Sequence, residues 1–128
     1  MLRFYRALAV GDANALAALV SREPGVLVIG TDPDEWWSGY ETIAAVFKAQ
    51  MKEMGGGFPI EAAELQTFSE GNVGWAADRP RLAVADGGEV SFRLSAVLHR
   101  ENGDWKIVQW HVSFGVANEE ALGKALTV

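Results

Sequence analysis

The sequence predicts an α+β fold: a cone-shaped, strongly curved antiparallel sheet wrapped around N-terminal helices. Apart from a short C-terminal segment, helical spacing is confined to residues 2–54, whereas residues 59–114 alternate as strands. The last three predicted strands are ten to twelve residues long, about twice the usual ~5–6. Long antiparallel sheets coil strongly. A coiled sheet closed on a few helices leaves a cavity.

Residues 89–114 contain the clearest structural signal, a long β-hairpin. Phe92, Leu94 and Ala96 alternate with Arg93 and Ser95, and the same two-residue period continues over residues 105–114. An Asn-Gly pair between two alternating runs is a strong hairpin signal. The sequence therefore predicts two long strands that turn at residues 101–104.

The length of the hairpin loop determines which residues face each other. A two-residue loop, Asn102-Gly103, would set Leu94 opposite His111 and mix apolar with polar side chains. A three-residue loop with Gly103 left-handed sets Leu94 opposite Trp110 and keeps the two faces separate. We therefore predict the three-residue loop. This register also pairs Ala96 with Val108, Phe92 with Val112, Ser95 with Gln109 and Arg93 with His111.

Two helices are predicted at the start of the chain. The first covers residues 2–10 and ends at Gly11. Asp12 has a suitable side chain to cap a second helix that continues through Val20. A short buried strand is predicted after it, at residues 26–29.

A third helix is predicted from the capping-box spacing of Ser38 and Glu41. Apolar residues at helical spacing extend it to about Met54, where three glycines follow. Because these glycines come after a helix, they do not form a phosphate-binding loop. The remaining predicted elements are strands at residues 59–68 and 73–84, a tight turn at Asp86-Gly87, and a C-terminal helix capped by Asn118 that contains Leu122 and Leu126.

Composition is that of one globular domain, spanning residues 1–128. Hydrophobic residues make up 49% of the chain and charged residues 22%, and there is no Cys, which excludes disulfides and thiolate chemistry. The net charge of −6 argues against nucleic acid and anionic membranes as partners. No apolar run reaches the ~20 residues of a membrane helix, and no leader is visible at Met1. We therefore expect a cytoplasmic protein.

Five segments of the sequence form a recognisable set: Phe4-Tyr5-Arg6-Ala7, Gly11-Asp12, Trp37-Ser38-Gly39, Val97-Leu98-His99-Arg100 and residues 105–113. Together they resemble the nuclear-transport-factor-2-like superfamily, and specifically its SnoaL-like branch. The resemblance covers nearly the whole chain and implies a nuclear transport factor 2-like, cystatin-like α+β barrel, usually a homodimer formed sheet to sheet. Members of the superfamily include isomerases, cyclases, dehydratases and kinase association domains, so the resemblance indicates fold more than function.

The catalytic patterns of related enzymes match this sequence only in part. Ketosteroid isomerase-like members use a pocket Asp with a Tyr, but Tyr5 and Tyr40 both lie outside the long strands. SnoaL-like cyclases use a pocket carboxylate, for which Asp78 is the candidate. Its predicted face is the wrong one unless Pro80 creates a bulge. Kinase association domains carry several pocket arginines. Arg79 matches the position of one of them, while Ala96 and Val112 stand at the positions of two others.

One face of the predicted sheet carries the residues expected to line an aromatic cavity. This assignment of residues to the face follows from carrying the register through Asp86-Gly87 as a two-residue loop. Such a cavity would suit a small apolar or carboxylated ligand. The alternatives are that the aromatic residues only fill the core, and that Arg79 and Arg81 extend to the rim. The predicted ligand-binding residues are Trp37, Tyr40, Trp75, Arg79, Phe92, Leu94 and Trp110.

The opposite face carries polar residues that could serve either of two roles. Asp78 and His111 look like acid–base groups. In the superfamily, however, this is the dimer-forming face, so we predict a polar dimer interface formed by Arg93, Ser95, Gln109 and His111.

No metal or cofactor site is predicted. Asp32, Asp34 and Glu35 lack the loop spacing of a calcium site and are interpreted as a solvated acidic turn. The two histidines give no zinc signature.

Three functional hypotheses follow. The first is a dimeric domain that binds a small hydrophobic or carboxylated molecule in its cone. The second is a cofactor-independent isomerase, cyclase or dehydratase that uses Asp78 as acid or base. The third is a pure protein association module.

Overall fold

The computed structural model describes residues 1–83 and 87–126, without the side chains of residues 83, 89 and 91. Helices come first and a large curved antiparallel sheet follows, so the predicted α+β class is confirmed. The elements are α1 (Leu2–Val10), α2 (Ala13–Ala18), β1 (Leu27–Ile29), β2 (Trp36–Ser38), α3 (Tyr40–Met54), β3 (Ile60–Glu61), β4 (Gln66–Glu70), β5 (Val73–Asp78), β6 (Arg81–Ala83), β7 (Glu89–Glu101), β8 (Asp104–Phe114) and α4 (Asn118–Leu122).

The first two helices follow the prediction. Gly11 ends α1 in the left-handed conformation with φ 73°, which glycine adopts without a Cβ penalty. The Asp12 carboxylate accepts a hydrogen bond from the Ala15 N–H at 3.0 Å and caps α2. Helix α2 ends at Ala18, two residues before the predicted Val20.

The capping box predicted at Ser38 and Glu41 is wrong. Ser38 belongs to β2, where it pairs with Leu27. Its backbone is extended, and Gly39, with φ 88°, precedes α3 without a side-chain cap. The Gly39 N–H instead donates to the Val26 carbonyl at 3.0 Å, so pairing with β1 replaces the local capping motif.

The main path of the sheet runs β2-β1-β8-β7-β5-β4, and β6 connects β7 to β3. Strand β1 is parallel to β8, while the other pairings between strands in the described residues are antiparallel. The C-terminal hairpin therefore lies at the centre of the sheet, between β1 on one side and β5 and β6 on the other. We call the side of the sheet toward the helices the inner face and the opposite side the outer face.

The predicted three-residue hairpin loop is also wrong. Strands β7 and β8 are joined by a two-residue turn, Asn102-Gly103, with φ values of 52° and 83°, as in the favoured hairpin turns. A β-bulge then inserts Val108, because Val97 pairs with Gln109 while Leu98 pairs with Ile107. Beyond this bulge Phe92 pairs with Phe114, Arg93 with Ser113, Leu94 with Val112, Ser95 with His111 and Ala96 with Trp110.

The bulge reconciles a short turn with separate apolar and polar faces. The two-residue turn alone would place Leu94 opposite His111, and the extra residue restores the alternation. Ile107 and Trp110, three positions apart, are both buried on the inner face. The predicted separation of faces in the hairpin is therefore correct beyond the bulge. The predicted partners on β8 are each displaced by two residues: Leu94, for example, pairs with Val112 instead of Trp110.

Each of the two earlier predicted strands is divided in two. Residues 59–68 form β3 and β4, and residues 73–84 form β5 and β6, which are interrupted at Arg79-Pro80. The register is the same on both sides of the interruption, with Asp78 opposite Leu94 and Arg81 opposite Ser91. Pro80 therefore introduces no bulge, although the pairing with β7 is interrupted at Arg79-Pro80.

The register between these strands and β7 is one residue away from the prediction. The turn predicted at Asp86-Gly87 lies partly outside the described residues. A two-residue loop there would set Asp78 opposite Ser95, but Asp78 pairs with Leu94. The one-residue shift turns Asp78 to the inner face and Trp75 to the outer face.

The core lies between the helices and the inner face. Phe4 of α1 contacts Trp110 of β8, with ring centroids 3.8 Å apart and an interplanar angle of 69°. Phe47 of α3 completes this cluster at 6.0 Å from Phe4. Such edge-to-face contacts add to the burial of apolar area. The aromatic cluster therefore connects both long helices to the central strand.

Gly57 lies directly against the end of α1. A Cβ at Gly57 would overlap the Leu8 carbonyl oxygen and the Gly11 nitrogen, and its φ is +97°. The neighbouring Phe58 N–H donates to the same Leu8 carbonyl at 2.9 Å. The chain after α3 is thus held against α1 by a backbone contact that no side chain would allow.

We expect Gly57→Ala to lower the free energy of unfolding by about 3 kcal/mol or more, because it combines backbone strain with overlap of buried atoms. Gly55→Ala is the matched control. It has a similar positive φ, +66°, but nothing within 4 Å of the new Cβ, so it should cost about 1 kcal/mol. Urea unfolding measures both, and equal losses would contradict the proposed contact.

Candidate functional site

A cavity of about 330 Å³ lies between the helices and the inner face of the sheet, where it is bordered by β1, β2 and β8 and by residues of β3, β6 and β7. Its walls are mostly apolar and aromatic, and its polar groups are concentrated near the turn that joins β1 to β2. The lining residues are Leu8, Val28, Gly30, Thr31, Glu35, Trp37, Phe47, Gln50, Phe58, Ile60, Leu82, Phe92, Trp110, Val112 and Phe114.

One row of paired residues across the inner face positions the aromatic walls. Trp37 pairs with Val28, which pairs with Trp110 on β8. The row continues through Ala96 and Ala76, both buried. Large side chains therefore lie at the β2 and β8 end of the row and small ones at the β5 end.

Trp110 lines this apolar cavity and also carries a buried polar atom. Its side chain is 6% exposed. Among the described residues, its Nε1 is the only buried side-chain nitrogen or oxygen without a hydrogen-bond partner. Buried donors are normally paired because an unpaired one costs about 1–3 kcal/mol. The Trp110 N–H is therefore enclosed by the protein and is not exposed to the cavity.

Glu35 and Gln50 provide the polar side chains near the β1–β2 turn. Glu35 Oε1 accepts from the Asp32 N–H at 2.7 Å, and Oε2 accepts from Gln50 Nε2 at 3.1 Å. A Cβ at Gly30 would lie 2.7 Å from the Glu35 Cβ and 2.8 Å from its Oε1. Gly30 therefore leaves the space that the half-buried Glu35 side chain occupies.

Glu35 was interpreted from the sequence as part of a solvated turn, and its place at the cavity was missed. A signal was present in α3, where Phe47 and Gln50 are three residues apart and share one helix face. A polar residue following the core-facing Phe47 at this spacing indicates a polar partner nearby. The partner itself depends on the tertiary structure.

Three of the seven predicted ligand-binding residues line the cavity: Trp37, Phe92 and Trp110. Leu94 is buried in the core next to it but is not part of the lining. Tyr40 lies elsewhere: its hydroxyl accepts from Arg22 at 3.0 Å, and the Arg22 guanidinium stacks 4.0 Å from its ring centroid.

The predicted placement of Trp75 and Arg79 in the cavity is wrong. Trp75 is 44% exposed on the outer face and stacks on Phe68, with centroids 6.1 Å apart. Arg79 is exposed, and its Nε lies 3.4 Å from Glu64 Oε2. Both errors follow from the one-residue difference in register between β5 and β7.

Asp78 was predicted on the outer face, and this is also wrong. It is 5% exposed on the inner side. Its Oδ2 accepts from the Tyr5 hydroxyl at 2.8 Å, and its Oδ1 accepts from the Glu64 N–H at 2.7 Å and the Ala63 N–H at 3.4 Å. Burial, and then the hydrogen bond to this carboxylate and its charge, raise the pKa of Tyr5 above its ordinary value.

The predicted interface residues share one exposed surface. Arg93, Ser95, Gln109 and His111 all lie on the outer face. Strand pairing places them in or beside two rows, one formed by Phe68, Trp75, Val97, Gln109, Leu27 and Ser38, the other by Gln66, Ala77, Ser95, His111, Ile29 and Trp36.

A larger hollow of about 480 Å³ lies at the N-terminal end of α1. It is bordered by exposed residues of the N-terminus and of the hairpin turn, such as Arg3, Gly103 and Asp104. Because its boundary is exposed and more polar, the smaller apolar cavity is the better ligand site.

Comparison with known proteins agrees with the fold. The family model of the SnoaL-like domain matches residues 1–117. The chain belongs to the SnoaL-like family. No curated protein matches this SnoaL-like chain significantly. No helix in the described part of the chain is long and apolar enough to cross a membrane.

Solved structures with low sequence identity share the fold. A nuclear-transport-factor-2-like protein of unknown function from Pseudomonas putida is 20% identical, with a TM-score of 0.80 over 98% of this chain and 87% of that one. A proposed dehydratase from Streptomyces avermitilis is 16% identical, with a TM-score of 0.76 over 91% of both chains. A proposed ketosteroid isomerase from Parabacteroides distasonis is 17% identical, with a TM-score of 0.72 over 86% of this chain and 80% of that one.

We expect Tyr5→Phe to lower the free energy of unfolding at neutral pH by about 1.5–3 kcal/mol, because it removes a buried hydrogen bond to a charged group. The raised pKa keeps Tyr5 protonated in the folded protein, whereas the unfolded chain ionises above the ordinary value of 10.0. The contribution of Tyr5 to the free energy of unfolding is therefore fully present below pH 10 and is lost as the pH rises further.

Urea unfolding of both proteins at neutral pH and above pH 10 tests this. Above pH 10, the difference in free energy of unfolding between the wild type and Tyr5→Phe should decrease by about 1.4 kcal/mol per pH unit. Tyr40→Phe is the control, since its hydroxyl bonds only to an exposed arginine, and it should lose much less. A difference between wild type and Tyr5→Phe that does not change with pH would contradict the assigned role.

Proposed function

We propose that this SnoaL-like domain binds a small hydrophobic molecule in the 330 Å³ cavity and forms a homodimer through the outer face. The observation that carries the ligand proposal is the cavity itself, whose walls are apolar and aromatic and whose polar side chains, Glu35 and Gln50, lie at one end. Ligand sites typically have volumes of about 300–1,000 Å³, apolar walls and a few polar groups.

The carboxylated ligand expected from the sequence has less support. That expectation rested on arginines at the mouth of the cavity. Arg79 and Arg81 are exposed, and neither lines the cavity. Arg79 lies near Glu64, so its charge is directed elsewhere. The proposed ligand is therefore hydrophobic without a carboxylate.

We expect Val112→Trp to abolish binding of a neutral bicyclic probe, 2-naphthylmethanol, because the indole would occupy the cavity that Val112 lines. Val10→Trp makes the same change at a position on α1 that is 66% exposed, and it should leave binding unchanged. Titration followed by NMR measures the affinity, and thermal unfolding checks that both variants fold. Undiminished binding to folded Val112→Trp would contradict the cavity site.

The dimer proposal is supported by the character of the outer face. None of the residues in its two paired rows carries a fixed charge. Phe68, 56% exposed, and Trp75 form a stacked aromatic pair at its β4 and β5 end. Contiguous exposed apolar surface commonly marks an interaction site. The polar Ser95, Gln109 and His111 in the middle could pair across a symmetric interface.

We expect Trp75→Glu to convert the dimer to a monomer, because a charge would replace the aromatic anchor of the proposed interface. Val10→Glu, at an exposed position of α1, is the matched control and should remain dimeric. Sedimentation velocity at several protein concentrations measures the oligomeric state. A wild type that sediments as a monomer throughout would refute the proposal.

The isomerase, cyclase or dehydratase hypothesis is not favoured by the placement of Asp78. Both oxygens of its carboxylate accept hydrogen bonds from the protein, and it does not line the cavity. A general base must reach the proton that it removes. An association module would need the outer face but not the cavity, so the two experiments above also separate that hypothesis from ligand binding.

A further inference from the structure

We propose that the cavity discriminates by charge: it takes apolar molecules whose head group donates hydrogen bonds, most favourably an amine, and rejects anions. The proposal rests on the ligand-binding function above and names the ligand class for the same site. The determinant is Glu35, the only charged residue among the described residues that line the cavity.

The Glu35 carboxylate is fixed in place at the cavity. The Asp32 N–H binds one oxygen and Gln50 Nε2 binds the other, at 2.7 and 3.1 Å. The turn itself is closed by the Gly30 N–H, which donates to the Glu35 carbonyl at 2.8 Å. A carboxylate oxygen can accept more than one hydrogen bond. Each oxygen therefore retains acceptor capacity for a ligand.

Among the side chains that the structure describes, no cation pairs with Glu35. The ion pairs closer than 4.0 Å among them are Arg79 with Glu64 and His99 with Glu101. Asp32, in the same turn, adds a negative charge close to Glu35. The polar end of the cavity therefore carries a negative potential.

The apolar walls increase the effect of this potential on a bound ligand. Charges interact more strongly beside a low-dielectric surface than in water. A ligand carboxylate would meet a like charge and lose hydration without gaining a cationic partner. An ammonium or hydroxyl group would instead donate to an oxygen that is already oriented.

Three probes with the same naphthalene ring test the proposal: 2-naphthylmethylamine, 2-naphthylmethanol and 2-naphthoate at neutral pH. We expect the amine to bind tightest and the carboxylate at least about tenfold more weakly than the amine, a modest value for a half-buried charge. In Glu35→Gln this ratio should fall to about threefold or less. Glu53→Gln, at an exposed position of α3 outside the lining, changes the net charge equally and should preserve it.

A second variant separates position from charge. Gly30→Ala keeps Glu35 but places a Cβ within 2.8 Å of its side chain, so Glu35 must move. We expect the amine-to-carboxylate ratio to fall here too, with thermal unfolding confirming a folded protein. Equal affinities of the wild type for all three probes, or an unchanged ratio in Glu35→Gln, would overturn the charge selection while leaving ligand binding intact. If no probe binds the wild type, the proposed ligand-binding function fails.

Discussion

The buried carboxylate of Asp78 connects three parts of the molecule that are distant in sequence. It lies on β5, binds the Tyr5 hydroxyl of α1, and accepts from the backbone of Ala63 and Glu64 between β3 and β4. A buried carboxylate is tolerated only when it is hydrogen-bonded, so these partners must be present together. Phe4, the neighbour of Tyr5 on α1, packs against Trp110.

The cavity follows from how side-chain size is distributed over the inner face. The bulge at Val108 allows both Ile107 and Trp110 to face the helices. Trp110 then lies between α1 and the cavity, and the β1–β2 turn brings Glu35 to the same space. Protein interiors are normally close-packed. An apolar space with one fixed carboxylate is therefore the most specific feature of this domain.

Much of the fold was predictable because local patterns specify it. Gly11, Asp12 and the Asn102-Gly103 turn act through their own backbone or side chains, and all three perform the predicted role, although the turn is shorter than predicted. The face of β5 was not predictable in the same way. Its residues alternate between small, aromatic and charged side chains, and alternation alone does not say which set faces the helices. Trp75 was assigned inward by carrying the register through Asp86-Gly87 as a two-residue loop, yet Asp78 is the residue with hydrogen-bond partners inside.

The sequence by itself determined the α+β class, the family resemblance, the two faces of the hairpin and three cavity residues, Trp37, Phe92 and Trp110. Those features depend on periodicity and on motifs that are continuous in the chain. Only the tertiary structure decided that Asp78 is buried, that Arg79 is outside the cavity and that Glu35 lies at its polar end. These placements depend on one-residue registers and on a bulge. Such shifts cost little in local conformation, so packing between distant segments selects among them.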